Sequence, residues 1–256
     1  MRRRSLLLGG FSVGVLLACG DVPTLDQDIA YISPVLLPAP AVAIGDQLRD
    51  SLGNVTPLRI EAFGRNDEQL PDPEATFLPT VLPSPISIDA NGFVAATEST
   101  TAVHTVQIVG RVGSKLQTPP VSLLVVPQPD SLGRTSDEVR TSALPGLDTM
   151  RVTVTGLNKS RTRVPVPGII VRYRITALYG AGAASATALL TLDGSIVSRP
   201  DSLVAVDTTD ASGVASRTLV VAGTGVDSVV VFAHARSLRG VPLKGDSVHF
   251  VLRVTP

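Results

Sequence analysis

The clearest signal in the chain is a strict alternation of apolar and polar positions in its second half. Met150, Val152 and Val154 alternate with Arg151, Thr153 and Thr155. Ile169, Val171, Tyr173, Ile175 and Ala177 alternate with Ile170, Arg172, Arg174 and Thr176. Residues 214–221, 227–235 and 246–254 continue in this style, and in the last of them Val248, Phe250, Leu252 and Val254 form one face. Successive side chains of a strand point to opposite sides, so these runs predict antiparallel strands with one face buried. Five or more of them between Met150 and Val254 is the strand density of a β-sandwich. Residues 178–192 are uncharged and rich in Ala and Gly, but too few to cross a membrane as a helix. They read as a loop followed by a strand that ends at an Asp193-Gly194 turn.

The first half alternates less regularly. Leu58, Ile60 and Ala62 alternate with Arg59, Glu61 and Phe63; Ile86 and Ile88 lead through Asp89-Ala90-Asn91-Gly92 to Phe93 and Val94. Val106, Ile108 and residues 121–126 complete its strand candidates. Pro71, Pro73, Pro79, Pro83 and Pro85 bar the segment between them from a central strand, because proline cannot donate to a ladder. An edge strand or a long loop is expected there. Pro23, Pro34, Pro38 and Pro40 suggest an extended tether over 19–40. A polar stretch with Pro127, Pro129 and Pro145 suggests an inter-domain linker over 128–147. The expected organisation is a signal peptide (1–18), the tether (19–40), one sandwich (41–127), the linker (128–147) and a second sandwich (148–256).

Composition agrees with an all-β chain. Hydrophobic residues reach 44 %, with aromatics at 4 %, no Trp, 22 Gly and 20 Pro, so β-branched residues supply the core and turn residues punctuate it. Lys plus Arg and Asp plus Glu are both 22. Removing Arg2, Arg3 and Arg4 with the signal leaves 22 − 3 = 19 basic against 22 acidic residues, or about −3. A chain without a basic surplus is not expected to bind nucleic acid.

The N-terminus carries the one strong motif. Arg2-Arg3-Arg4 precedes a 13-residue apolar run, Leu6 to Ala18, which is too short to span a bilayer and has the parts of an export signal. Leu16-Leu17-Ala18-Cys19 resembles the lipobox of bacterial lipoproteins. The resemblance implies cleavage after Ala18 and lipidation of Cys19, the sole cysteine, so that the membrane itself is a partner through this anchor. Several acyl chains hold a protein far more firmly than one. Gly20, in place of the Asp that retains some lipoproteins at the inner membrane, implies the outer membrane by the same resemblance. Arg3-Arg4-Ser5-Leu6-Leu7 also resembles a twin-arginine signal, so both general and twin-arginine export stay open.

Two turn signatures carry a second resemblance. Val164-Pro165-Val166-Pro167-Gly168 before one strand, and Thr209-Asp210-Ala211-Ser212-Gly213-Val214-Ala215 later, resemble bacterial Ig-like group 1 domains of the invasin and intimin type, over roughly 147–255. Ile88-Asp89-Ala90-Asn91-Gly92-Phe93-Val94-Ala95 is similar to the turn of bacterial Ig-like group 2 domains, over about 41–126. The implied fold is two Ig-like sandwiches in tandem, and neither family lends catalytic residues.

Candidate chemistry in the mature part is sparse. His104, His234 and His249 lie on different strand candidates without ligand spacing, and no serine sits in a nucleophile-elbow pattern. Asp207, Asp210 and Gly213 do not follow a calcium-loop spacing and read as a hydrogen-bonded turn. No enzyme activity, metal or other cofactor is expected. Lys159, Arg161 and Arg163 alternate with Ser160 and Thr162, so an extended loop would project three cations on one side, with help from Arg172 and Arg174. They are the candidate contact for an anionic envelope glycan, a lipid head group or an acidic protein partner. The expected function is a lipid-anchored spacer, adhesion or interaction unit of the cell envelope; the alternative is an accessory subunit of an envelope assembly.

Overall fold

The computed structural model describes residues 29–71, 73–97, 103–143, 146–183, 187–191 and 204–255. The expected signal peptide, Cys19 and the Asp193-Gly194 turn lie outside the described residues. All regular structure in the described residues is β.

Among the described residues, ten strands build the first module. They are β1 (Tyr31–Ile32), β2 (Ala41–Ala43), β3 (Ala62–Phe63), β4 (Gln69–Leu70) and β5 (Ala75–Pro79). Then come β6 (Ile86–Ile88), β7 (Val94–Ala96), β8 (His104–Val112), β9 (Leu116–Gln117) and β10 (Val121–Val126). The larger sheet runs β2-β10-β8-β5, with the short β9 returning beside β8. The facing layer consists of β1-β3-β4 and the β6-β7 hairpin, extended by single bridges such as Leu36 to Arg59. Between the layers lie Val42, Leu48, Leu58, Ile60, Ile108, Leu123 and Val125, all buried. The proline-rich segment forms β5, whose Pro79 ends an edge strand, as a residue without an N–H requires.

The second module holds β11 (Gln128–Arg134), β12 (Val139–Ala143), β13 (Gly146–Leu157), β14 (Arg163–Pro165) and β15 (Ile170–Tyr179). After them come β16 (Thr187–Thr191), β17 (Val204–Thr208), β18 (Val214–Ala222), β19 (Ser228–Ala235) and β20 (Val248–Thr255). Its sheets run β11-β13-β18-β16, with β14 beside β13, and β12-β20-β19-β15-β17. The alternating sets face inward: Met150, Val152, Val154, Val171, Tyr173, Phe250 and Leu252 are all buried in one core. Tyr173 closes this core by donating its hydroxyl to the Ala215 carbonyl at 2.8 Å, from one sheet to the other. The chain is therefore all-β, with two Ig-like sandwiches in tandem.

The linker expected over 128–147 is corrected by these strands. β11 lies antiparallel on β13, and β12 then crosses to the opposite sheet to lie parallel on β20. Pro129 fits because the ladder bulges between Pro129 and Ser131, where an absent N–H costs nothing. The stretch is polar because both strands are sheet edges, with few positions facing the core. Only Pro127, itself buried, separates β10 of one module from β11 of the next.

Candidate functional site

The place where the two modules meet is the most elaborated feature of the described surface. It is assembled from two turns of one design. In residues 50–54, the Asp50 carboxylate accepts hydrogen bonds from the Leu52 and Asn54 amides, each at 2.9 Å, and Gly53 takes φ +91°. In residues 237–241, the Ser237 hydroxyl accepts from the Arg239 and Val241 amides at 3.3 Å, and Gly240 takes φ +76°. A short polar side chain closes each loop while glycine supplies the left-handed residue. The two glycines lie back to back: a Cβ on Gly53 would stand 2.4 Å from the Arg239 carbonyl oxygen, and one on Gly240 2.4 Å from that of Leu52.

Ionic contacts fasten these turns. Arg239 donates from Nε to Asp46 Oδ2 at 2.6 Å, and Arg49 reaches Asp46 Oδ1 at 3.3 Å and the Gly53 carbonyl at 3.0 Å. Burial alone would raise the Asp46 carboxyl, but hydrogen bonds from Arg239, the Gln47 amide and Arg49 outweigh it and hold it below its ordinary value. Nearby, Gly168 at φ +76° leaves no room for a side chain against Ala41 and Leu124 of the first module, so Ala41 and Val126 join the second core. Thr209 fixes that approach, accepting from the Ile169 amide at 2.9 Å and donating to the Val166 carbonyl at 2.8 Å.

Beside these contacts a cleft of about 210 Å³ stays open between the modules. Its walls include Leu52 on one side and Ile169, Leu238, Arg172, His234 and Arg236 on the other. Burial, then Arg172, Arg236 and Arg174, hold His234 below its ordinary value against the opposing pull of Asp246.

The basic loop between β13 and β14 is a tight turn, in which the Arg161 amide donates to the Asn158 carbonyl at 2.9 Å and Arg161 takes φ 58°. It does not extend its cations as one row. Arg163 lies on β14 and folds back, donating to Ser131 and to Thr155 and pairing with Asp130 at 3.4 Å. Lys159 and Arg161 are exposed at the tip. The histidines are not brought together as a ligand set. His104 is exposed, His234 lines the cleft, and His249 lies tilted beside Phe232 with ring centroids 5.8 Å apart and contacts Glu138. Asp207 pairs with Arg217 at 3.1 Å, and Asp210 accepts from the Ser212 and Val214 amides at 2.8 and 3.0 Å. Among the described residues no group of three or more His, Cys, Asp or Glu could hold a metal ion.

Sequence reasoning missed the joint, although a local signal was present. Asp50-Ser51-Leu52-Gly53 repeats the Asp-x-x-Gly spacing of the 89–92 and 210–213 turns. Its packing on the 237–241 turn, and the Arg239–Asp46 pair that joins residues 193 positions apart, had no local mark.

No protein-family model matches the chain, and no curated protein does. Among solved structures, the chain is similar to the adhesin InvE of Yersinia pseudotuberculosis, at 16 % identity and TM-score 0.36 over 88 % of this chain. It spans 59 % of the InvE chain. It is similar to the D00-D0 domain of intimin at 14 % identity and TM-score 0.25, covering 80 % of this chain and 96 % of that one. It is also similar to fibronectin(III)-like modules of CbhA from Clostridium thermocellum, at 11 % identity and TM-score 0.27, covering 87 % and 92 %. The sandwich architecture rests on the strands themselves.

Proposed function

We propose that this chain is a non-catalytic, lipid-anchored protein of the cell envelope, whose two Ig-like modules form a stiff interaction or adhesion unit. The observation that carries this reading is the joint. A single residue between modules, glycines packed back to back and the Arg239–Asp46 ion pair favour one relative orientation over free swivelling. Such a unit holds its far end at a set distance from the anchor. Lipidation of Cys19 and the outer-membrane destination belong to this proposal, as does division of the chain near Pro127.

The Cys19→Ser protein is expected to lose acyl labelling and leave the membrane fraction. Sedimentation of that variant with membranes after a high-salt wash would place the anchor elsewhere. Protease accessibility on intact cells then distinguishes the periplasmic from the surface face. A second reading, an accessory subunit of an envelope assembly, draws on the edge strand β17, where Val204 and Val206 stay half exposed. A stoichiometric partner captured from solubilised envelope favours the subunit; capture of glycan alone favours the adhesion unit.

A further inference from the structure

The cleft at the joint carries positive charge that the fold does not neutralise. Arg172 on β15 and His234 on β19 are cross-strand partners, and Arg174 lies two positions further along the same outward face. Arg236 continues the row toward the first module, with one long hydrogen bond from Nη1 to the Gly240 carbonyl at 3.4 Å. Among the described residues, Arg172, Arg174 and Arg236 form no ion pair, whereas Arg140, Arg163, Arg217 and Arg239 each hold a carboxylate. The acid in the cleft wall, Asp50, is committed to its own turn, and the Asn54 amide above all keeps its carboxyl below the ordinary value. Asp246 acts on His234 from the turn before β20, yet burial and then Arg172 outweigh it.

We propose that this cleft is an oxyanion-binding site that takes the carboxylate or phosphate group of an acidic glycan, with Arg172 and Arg236 as the principal contacts. The proposal rests on the reading of the chain as an interaction unit. Guanidinium groups present a planar fork of donors that fits a carboxylate or phosphate in two-point fashion. Arg172 and Arg174, two residues apart on one strand, repeat positive charge about every 6.6 Å along the sheet, which suits anions carried on a polymer. At about 210 Å³ the cleft is smaller than the several hundred Å³ that enclose a whole drug-sized ligand, so it admits one charged unit while the rest of the polymer lies outside. The Ser51 side of the wall adds a hydroxyl suited to sugar hydroxyls. An acidic peptide is the poorer fit, because neither Phe nor Tyr lines the cleft and Leu52 and Leu238 form no deep anchor pocket.

The test is calorimetric titration of the full chain, purified in detergent, with oligogalacturonate, inorganic phosphate and a glutamate-rich peptide. Oligogalacturonate is expected to bind best, and more weakly as ionic strength rises. The Arg172→Gln/Arg236→Gln variant should lose at least about tenfold in affinity while its thermal unfolding stays unchanged. The Lys159→Gln/Arg161→Gln variant should bind as the unaltered chain does. Equal binding by the Arg172/Arg236 variant, binding of none of the probes, or tighter binding of the peptide overturns the site. Phosphate binding as tightly as the oligosaccharide overturns the glycan assignment. Capture of envelope components separates the two levels. A partner held equally by the Arg172/Arg236 variant overturns the cleft alone, and absence of any partner for either form overturns the interaction reading beneath it.

Discussion

Arg239 and Asp46, 193 positions apart, meet at 2.6 Å across the boundary between the two sandwiches. The carboxylate side chain is only 8 % exposed, so its removal strips a charged acceptor from two guanidiniums at once. Asp46→Ala is expected to destabilise the chain by about 2 kcal/mol, in the range of hydrogen bonds to charged groups. Because folding lowers this carboxyl, its contribution is complete above the ordinary value of 3.8 and is lost as pH falls through the lower folded value. Small-angle scattering should therefore report a looser joint in that acid window for the unaltered chain. An Asp46→Asn chain with the same acid response would show that another group controls it.

The back-to-back glycines give a sharper test of stiffness. Gly240→Ala would set a methyl group 2.4 Å from the Leu52 carbonyl oxygen and force a left-handed φ of +76° on an L residue. A cost above about 1 kcal/mol is expected, because alanine is disfavoured at positive φ. The modules should also reorient independently, with amide relaxation times characteristic of two small bodies. Relaxation identical to that of the unaltered chain would mean the glycine contact does not govern the joint.

Tyr173 links folding to alkaline pH. Burial pushes its hydroxyl well above the ordinary 10.0, with Asp207 adding to the effect and Arg217 opposing it. The unfolded chain ionises first, so stability is full below 10.0 and falls as pH rises beyond it toward the folded value. Tyr173→Phe gives up one hydrogen bond to Ala215, at about 1 kcal/mol near neutrality. In return its stability should decline less steeply above 10.0. Parallel alkaline slopes in denaturant titrations of both proteins would contradict this account.

Paired strands open less readily than polar linkers. Residues 128–134 and 139–143 sit in β11 and β12, so limited proteolysis is expected to spare them and to leave the Pro127 junction uncut. An early cleavage within either strand, mapped by mass spectrometry, would restore a flexible connection between the modules.

What the sequence revealed follows from how much of each strand touches a core. Val171, Tyr173 and Ile175, or Phe250 and Leu252, lie on strands paired on both sides and pack one full face inward, so the alternation stands out. β11 presents Leu132 as its main apolar contact and β12 has none fully buried, which made both look like linker. The cleft was illegible for another reason. Arg172 and His234 become neighbours only through the β15–β19 register, and Leu52 reaches them only because the modules dock. The three cations Lys159, Arg161 and Arg163 stood out in sequence, yet Asp130 and a tight turn divide them.

In both modules an early strand lies parallel to the last one: β2 beside β10, and β12 beside β20. In the second module β19 ends at the joint and β20 returns from it, so Thr255 lies at the pole away from the joint. A pull between Gln128 and Thr255 therefore drags β12 and β20 in opposite directions along their length. The five register pairs from Val139–Val251 to Ala143–Thr255 are loaded together, as a lap joint is, instead of parting one at a time like a zip. The pairing that disguised residues 139–143 as part of a linker thus sets β12 and β20 in shear when the second module is pulled.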